Sequence, residues 1–199
     1  LHLDLGCGKC VFLAEAAHTH RDVNFLGIDI SYDILGVGRR NIAQAYGEEQ
    51  PDNVALCAYN IERLGELFSP EEKVQRLYIN FCNPWPTARG HKRRLTHTRQ
   101  LNTYKKVLAP GGELWFKTDN TDLYLATQRY LSEAGFEILC KTDDLHSEDA
   151  PGNIQSEHEV MFTAEGIKTK AIIARWNGEP ETPERVSTEQ AEKVENTAE

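Results

Sequence analysis

Short apolar runs alternate with helix-like patterns along most of this chain. Runs rich in Leu, Ile, Val and Phe predict strands at residues 1–5, 23–30, 54–58, 74–81, 113–117, 136–141 and 168–176. The intervening segments predict helices at residues 11–17, 32–46, 98–108, 123–134 and 157–164. Pro110-Gly111-Gly112 is expected to end the third helix and precede the next strand.

This alternation indicates an α/β fold with a doubly wound, mainly parallel sheet and helices on both faces. Residues 1–176 are expected to form one domain, and the polar, acidic, Pro-containing residues 177–199 a disordered tail. The chain starts inside a strand-like run without Met, so an N-terminal part is expected to be missing. No apolar run approaches the roughly 20 residues that span a bilayer, so no membrane partner is expected.

Charge is segregated along the sequence. The formal net charge of −9 argues against a nucleic-acid partner. However, residues 177–199 contain seven Glu against two basic residues, whereas residues 89–106 contain seven Lys or Arg and no acidic residue. A local basic patch sets the field that a polyanion meets, so the basic segment remains compatible with RNA.

Cysteine usage indicates a reducing compartment. The five cysteines are odd in number and lack the spacing of a disulfide framework, so we expect a cytoplasmic protein. Cys7 and Cys10 form a C-x-x-C pair, which could be redox-active or half of a zinc site. No second Cys pair completes such a site, and the pair lies in a glycine loop. We therefore expect no metal.

A glycine-containing loop follows the first predicted strand. Ligands of doubly wound sheets bind beyond the carboxyl ends of the strands, which is where Asp4, Gly6, Gly8 and Asp29 lie. Asp29 ends the second strand, where a carboxylate can accept both hydroxyls of a ribose. The alternative is a tight turn with Asp29 as a helix N-cap. NAD is disfavoured because Val11 replaces the third glycine of its fingerprint. The loop predicts a nucleotide-type ligand.

The most specific segment is residues 80–95, after the fourth strand. Two prolines flank Trp85 and fix their own φ angles, which pre-organises the turn. Trp85 could stack on an exposed base, and the Lys and Arg residues that follow could contact phosphates. The alternative is a solvated basic loop with Trp85 in the core.

Both segments resemble known families. The start Asp-Leu-Gly-Cys-Gly is similar to the first motif of class I methyltransferases, in which a third glycine stands at the position of Cys10. Residues 81–94 resemble the signature Phe-x-Asp-Pro-Trp-Pro-Lys-Lys-Arg-His-x-Lys-Arg-Arg of tRNA (guanine-N7)-methyltransferases. The resemblance continues through Thr118-Asp119, residues 156–159 and Gly166. It implies a Rossmann-like methyltransferase fold, S-adenosylmethionine as cofactor, and methylation of guanosine N7 in the variable loop of tRNA.

The resemblance also implies roles for individual residues. The expected cofactor-binding residues are Asp4, Gly6, Gly8, Asp29, Asn60 and Asn83. The expected substrate-binding residues are Trp85, Arg89, Lys92, Arg93, Arg94, Asp119, Ser156 and Glu159. The expected catalytic residues are Asp119, Glu159 and Asn83. Spacing alone leaves open that Asn60 is a turn residue, Asp119 an N-cap and Glu159 a surface charge.

Several positions depart from the signature. Asn83 replaces Asp, Thr87 and Ala88 replace two Lys, Gly90 replaces His, and Ser156 replaces Thr. Guanine N7 carries a lone pair, so no base must remove a proton, but the transfer places positive charge on the ring. Asn83 can orient a base and adds no charge, so we expect Asp119 and Glu159 to stabilise that charge.

Two other functions use the same residues. Asn83-Pro84-Trp85 is also similar to the Asn-Pro-Pro-aromatic turn of amino-group methyltransferases, which would give N6-methyladenosine or N2-methylguanosine. A catalytically silent tRNA-binding subunit is the non-enzymatic alternative, suggested by Asn83 and Cys10. A monomer and a homodimer are both compatible with the sequence.

Overall fold

The computed structural model describes residues 1–69, 71–147 and 153–178. Its strands are β1 (His2–Leu5), β2 (Phe25–Asp29), β3 (Val54–Ala58), β4 (Val74–Asn80), β5 (Leu108–Thr118), β6 (Glu137–Thr142) and β7 (Lys170–Trp176). Its α-helices are α1 (Val11–Thr19), α2 (Tyr32–Tyr46), α3 (Thr98–Tyr104), α4 (Thr121–Glu133) and α5 (Glu157–Ala164). Two 3-10 segments cover Ile61–Glu66 and Ala88–Arg93. The predicted disordered tail was residues 177–199, of which residues 179–199 lie outside the described residues.

The strands form one sheet in the order β3-β2-β1-β4-β5-β7-β6. Neighbouring strands from β3 through β5 pair in parallel. β7 pairs antiparallel with both β5 and β6. The predicted doubly wound and mainly parallel α/β sheet is confirmed.

Alternate residues of the central strands enter two different cores. Leu77 and Ile79 of β4 belong to a cluster that contains buried residues of α3 and α4. Tyr78, between them, belongs to a second cluster with buried residues of α1 and α2. Because successive strand side chains point to opposite faces, the helices cover both faces of the sheet.

β5 begins earlier than predicted, and α3 ends earlier. Leu108 pairs with Val74 of β4, so the strand already includes Pro110-Gly111-Gly112, which the sequence had suggested as a break. A register shift on β4 between Val74 and Arg76 absorbs the irregular residues. The helix ends at Tyr104, whose fully buried side chain fixes the point where the chain turns into the sheet.

The parallel strands end at one edge of the sheet, and the loops that follow them carry most of the predicted site.

No helix in the described ranges is long and apolar enough to cross a membrane. In those ranges no group of three or more His, Cys, Asp or Glu side chains is arranged to hold a metal ion.

Candidate active site

The loop between β1 and α1 turns through left-handed backbone. Gly6 and Gly8 have φ angles of 79° and 53°, a region that glycine adopts without steric cost. Cys10, the N-cap of α1, has φ 58° although it carries a side chain. A non-glycine residue held there costs about 1–3 kcal/mol. Cys10 is therefore held in a strained backbone conformation within the loop.

Gly38 of α2 provides the space for the Cys10 side chain. A Cβ atom added at Gly38 would lie 2.4 Å from Cys10 Sγ, which no real contact allows. Cys10 is 1% exposed, so its thiol fills the gap left by the missing Gly38 side chain. The side chain of Cys10 thus occupies the volume that a side chain at position 38 would need.

Cys7 and Cys10 contact each other as free thiols, with 3.6 Å between their Sγ atoms. The hydrogen bond from the Cys10 thiol and burial both raise the pKa of Cys7 well above its usual range. The thiolate form that binds metals or attacks disulfides is thus disfavoured at this site.

A cavity of about 350 Å³ lies over this loop. It is lined from the sheet by Asp4, Gly6, Gly8, Asn80 and Phe81, and from α5 by Ser156, His158 and Met161. The structure therefore brings four predicted residues together in one cavity: Asp4, Gly6, Gly8 and Ser156. The other predicted cofactor residues, Asp29, Asn60 and Asn83, do not line it.

Asp4 is a buried carboxyl group at the base of the cavity, 2% exposed. Burial and, to a smaller extent, the Asp29 carboxylate raise the pKa of Asp4 from 3.8 to about 7, against a smaller opposing effect of Asn80. The contact with Asn80 falls short of hydrogen-bond geometry, because Asp4 Oδ1 and Asn80 Nδ2 are both buried without a partner. Buried polar atoms are rarely left unpaired, so this end of the cavity is suited to a ligand with polar groups.

Asp29 is held by two backbone amides. Its Oδ2 accepts from Gly8 N at 3.0 Å, and its Oδ1 accepts from Ser31 N at 2.9 Å. The side chain that caps α2 is Ser31, which accepts from Ile34 N. The N-cap alternative for Asp29 is therefore wrong. Each carboxylate oxygen retains a further acceptor site for a ligand hydroxyl.

Asn60 caps the first 3-10 segment. Its Oδ1 accepts from Glu62 N at 3.0 Å, so it has the turn-forming role that the sequence left open. Its amide group remains a donor that a ligand could use.

The Asn83-Pro84-Trp85-Pro86 turn follows β4 directly. Asn83 is exposed, and its Oδ1 accepts from Trp85 N at 3.0 Å, which closes an Asx turn. Trp85 has φ 41° and is only half-buried. The Arg93 guanidinium lies over the indole ring, 4.0 Å from its centroid. The core alternative for Trp85 is wrong, since one face of the ring is covered by a cation at the surface.

The basic residues after the turn do not share one environment. Arg89, Lys92 and Arg93 are exposed on the second 3-10 segment. Arg94 is 3% exposed, and its guanidinium points into the protein. Three of the four predicted RNA-contacting cations are thus available at the surface.

Asp119 follows β5 and lies at the start of α4. Asn120 caps this helix by accepting from Leu123 N at 2.8 Å, so the N-cap alternative for Asp119 is wrong. The Asp119 main-chain oxygen accepts from Lys170 Nζ at 3.0 Å. Within the described residues its half-exposed carboxylate makes no ion pair or hydrogen bond, so it is available to a ligand.

Glu159 is fully buried at the first turn of α5. Its carboxylate accepts from Lys117 Nζ at 2.8 Å and from Asn153 Nδ2 at 2.7 Å, and His146 Nε2 lies 3.3 Å away. Glu159 also forms a capping box with Ser156. The surface-charge alternative is wrong, and the carboxylate is occupied by protein groups. Burial lowers the pKa of Lys117 more than Glu159 raises it.

Sequence reasoning missed two residues that shape the site. Asn80 was assigned only to a strand, but as the last residue of β4 it lines the cavity. Lys117 was treated as a strand residue, although a lysine within a buried strand is itself a signal of a paired or functional charge.

Several solved structures with the same fold are methyltransferases. An antibiotic-related methyltransferase superposes with a TM-score of 0.59 at 19% identity, covering 87% of this chain and 85% of that one. The N-methyltransferase NodS from Bradyrhizobium japonicum superposes with a TM-score of 0.56 at 17% identity, covering 87% and 84%. These likenesses concern the fold.

Sequence relatives are more specific. A protein-family model described as "Putative methyltransferase" matches residues 1–172. The tRNA (guanine-N(7)-)-methyltransferase of Clostridium beijerinckii is 49% identical over 176 residues, which is 87% of this chain and 80% of that protein. The enzyme of the same name from Ruminiclostridium cellulolyticum is 40% identical over 179 residues, 88% of this chain and 76% of that protein. The chain therefore belongs to the tRNA (guanine-N(7)-)-methyltransferase family.

Proposed function

We propose that this protein transfers the methyl group of S-adenosylmethionine to N7 of a guanosine in the variable loop of tRNA. The observation that carries the proposal is the continuity of β4 with the basic segment. Asn80 and Phe81 line the cavity, and within a few residues the chain forms the Trp85 turn and the exposed cations. A cofactor site and a polyanion-binding surface are thus built from one strand and its loop.

The cavity fits the amino-acid end of the proposed cofactor. Asp4 Oδ1 can accept from an ammonium group, and Asn80 Nδ2 can donate to a carboxylate, which would satisfy both unpaired buried atoms. Asp29 retains acceptor sites for ribose hydroxyls, and Asn60 a donor for adenine. When bound, the cofactor supplies an electrophilic methyl group on a sulfonium.

Methyl transfer to N7 requires the protein to orient the guanine base and to stabilise the positive charge that forms on its ring. The N7 lone pair needs no deprotonation, but the guanine ring becomes cationic. Asp119 carries a carboxylate without a protein partner in the described residues, so we assign it the stabilising role. Asn83 keeps a free amide donor that can orient the base, because its Oδ1 is used by Trp85 N. Alignment of the base with the methyl group supplies much of the remaining acceleration.

Glu159 acts on this site indirectly. Because Lys117 and Asn153 occupy its carboxylate, we propose that it fixes Ser156 and the first turn of α5 against the cavity. The charge-stabilising role that the sequence divided between two carboxylates then falls mainly on Asp119.

The RNA-binding side consists of Trp85 and the exposed cations Arg89, Lys92 and Arg93. The cations are placed to contact phosphates, and the indole to stack on a nucleobase. The substrate supports the expected cytoplasmic location, and a monomer or a homodimer stays a prediction.

The test is incubation with labelled S-adenosylmethionine and unmodified tRNA, followed by nucleoside analysis. We expect 7-methylguanosine. N6-methyladenosine or N2-methylguanosine would support the amino-group alternative instead, and tRNA binding without cofactor binding by calorimetry would support the silent subunit. Asp119→Ala should abolish methyl transfer and leave tRNA binding intact, whereas near-normal turnover would refute its assigned role.

A further inference from the structure

Of the four cations Arg89, Lys92, Arg93 and Arg94, only Arg94 is buried, and its guanidinium binds oxygen atoms of the protein. Its Nε donates to Pro84 O at 2.7 Å, and its Nη2 donates to Trp85 O at 3.4 Å. Its Nη1 donates to the Tyr130 hydroxyl at 3.5 Å. No carboxylate pairs with this guanidinium in the described parts of the chain. Three oxygen atoms of the protein thus accept hydrogen bonds from the guanidinium, whereas the basic run had suggested that Arg94 contacts a phosphate of tRNA.

The carbonyls that Arg94 binds belong to a strained turn. Trp85 has φ 41°, a conformation that costs a residue with a side chain about 1–2 kcal/mol. The Asx bond from Trp85 N to Asn83 closes one side of this turn. Charge-assisted hydrogen bonds are stronger than neutral ones, so the guanidinium is suited to hold the other side in its strained form.

The anchor for Arg94 is a helix packed on the sheet. Tyr130 of α4 is 4% exposed, and the His97 ring lies 4.8 Å from its ring. A second buried contact joins the same parts, because Thr96 Oγ1 lies 2.7 Å from Thr127 Oγ1 on α4. Thr96 and His97 therefore hold the chain against α4, and the hydrogen bonds of Arg94 hold the turn to the same helix.

The same segment also touches the cofactor loop. Leu95 Cδ1 lies 3.6 Å from the position that a Cβ atom of Gly6 would occupy. Two consecutive residues thus contact the two parts: Arg94 binds the turn that presents Trp85, and Leu95 lies beside the loop that lines the cavity. A shift of the turn would change the distance between the base platform and the transferable methyl group.

We propose that Arg94 is a positioning residue, which fixes the Asn83–Pro86 turn beside the cofactor cavity through its buried guanidinium and does not contact tRNA phosphates. This inference rests on the proposed function, in which the turn presents the target guanosine. Misplacement of a reacting group by about 1 Å can lower a rate by about 100-fold. Loss of Arg94 should therefore lower kcat, whereas loss of a phosphate contact lowers affinity.

The test compares Arg94→Met with Arg93→Met, its exposed neighbour. For Arg94→Met we expect kcat at saturating tRNA to fall by about 100-fold, with the tRNA Kd and its salt dependence unchanged. For Arg93→Met we expect a higher Kd and a plot of log Kd against log salt that is shallower by about one phosphate contact. Equal loss of affinity and equal flattening of the salt slope in both variants, with normal kcat for Arg94→Met, would overturn the proposal.

Two further measurements keep the inference testable if Arg94→Met folds poorly. Arg94→Lys keeps the charge but loses the planar fork, so it should fold and still show a reduced kcat. In Arg94→Ala, methylguanidinium at millimolar concentration should restore part of kcat, whereas methylammonium at equal ionic strength should not. A fully active Arg94→Lys, or equal rescue by both cations, contradicts a hydrogen-bonding role for the guanidinium.

Amide hydrogen exchange separates this inference from the proposed function. Peptides covering residues 83–95 should exchange faster in Arg94→Lys than in the wild type, and at the wild-type rate in Lys92→Arg, a change at an exposed neighbour. If the wild type made no 7-methylguanosine, the proposed function would fail, and this measurement alone would still decide whether Arg94 fixes the turn. Unchanged exchange in Arg94→Lys would refute it.

Discussion

Replacing Asp4 by Asn should stabilise the protein while damaging its cofactor site. Asp4 is buried with an unpaired Oδ1, and its pKa is raised to about 7 from 3.8. Asn has nearly the same shape and no charge to desolvate. The substitution therefore removes the cost of a buried carboxylate, and with it the charge that we propose binds the cationic group of the cofactor.

The pH dependence follows from the direction of this shift. A carboxyl group with a raised pKa binds its proton more tightly in the folded protein, so its effect on stability becomes unfavourable as pH rises from 3.8 to about 7. A pKa difference of about three units, at about 1.4 kcal/mol per unit, lowers the free energy of unfolding of the wild type by ~4 kcal/mol at pH 8. The same relation gives a lowering of ~2 kcal/mol at pH 5. The wild type should thus lose about 2–3 kcal/mol relative to Asp4→Asn between pH 5 and pH 8.

Urea denaturation of both proteins from pH 5 to pH 9 measures this difference, with Asp22→Asn as the control at an exposed carboxylate. Calorimetry should show that the wild type binds S-adenosylmethionine about tenfold more tightly per pH unit between pH 5 and pH 7, as Asp4 becomes charged. Asp4→Asn should bind weakly and without this dependence. A stability difference that does not vary with pH, or one that favours the wild type at pH 8, would refute the reasoning.

Three other substitutions test the remaining parts of the site. Asn83→Asp keeps an oxygen for the Trp85 N–H bond and adds a negative charge, so kcat should rise about fivefold, equivalent to ~1 kcal/mol, in single-turnover assays; an unchanged or lower kcat would contradict this. Glu159→Gln leaves the Lys117 ammonium without its counter-ion and should lower the free energy of unfolding by about 3–5 kcal/mol in urea. The double variant Lys117→Met with Glu159→Leu should recover much of that loss, and failure to recover would show that the pair is more than a buried ion pair.

The fold could be predicted because each strand and helix is indicated by the pattern of apolar and polar residues within its own segment. The sequence also placed Asp4 and Asp29 near the carboxyl ends of two paired parallel strands, although Asp29 does not line the cavity. The start of β5 was missed because Pro110 and the glycines after it normally break structure, whereas pairing of Leu108 with Val74 extends the strand across them. Long-range pairing decided that boundary.

The environments of Arg94 and Glu159 could not be predicted for a related reason. A run of basic residues describes charge along the chain, but the side on which a guanidinium lies depends on which oxygen atoms the folded chain presents to it. The sequence left open that Glu159 is a surface charge, because the partner of its buried ion pair, Lys117, lies on a strand that is 42 residues away in sequence.

The complementary volumes of Cys10 and Gly38 restrict the order in which these positions could change over evolutionary time. Gly38→Ala alone would place a methyl group 2.4 Å from the Cys10 sulfur, and would distort the loop that lines the cavity. Cys10→Gly alone relieves the left-handed strain and leaves a small gap, so it is accessible as a first step. Once Gly occupies position 10, a larger residue at position 38 becomes tolerable, and reversion of the first change is then blocked. Of the two possible orders of substitution, the one that starts at Gly38 is therefore closed, and the one that starts at Cys10 is open.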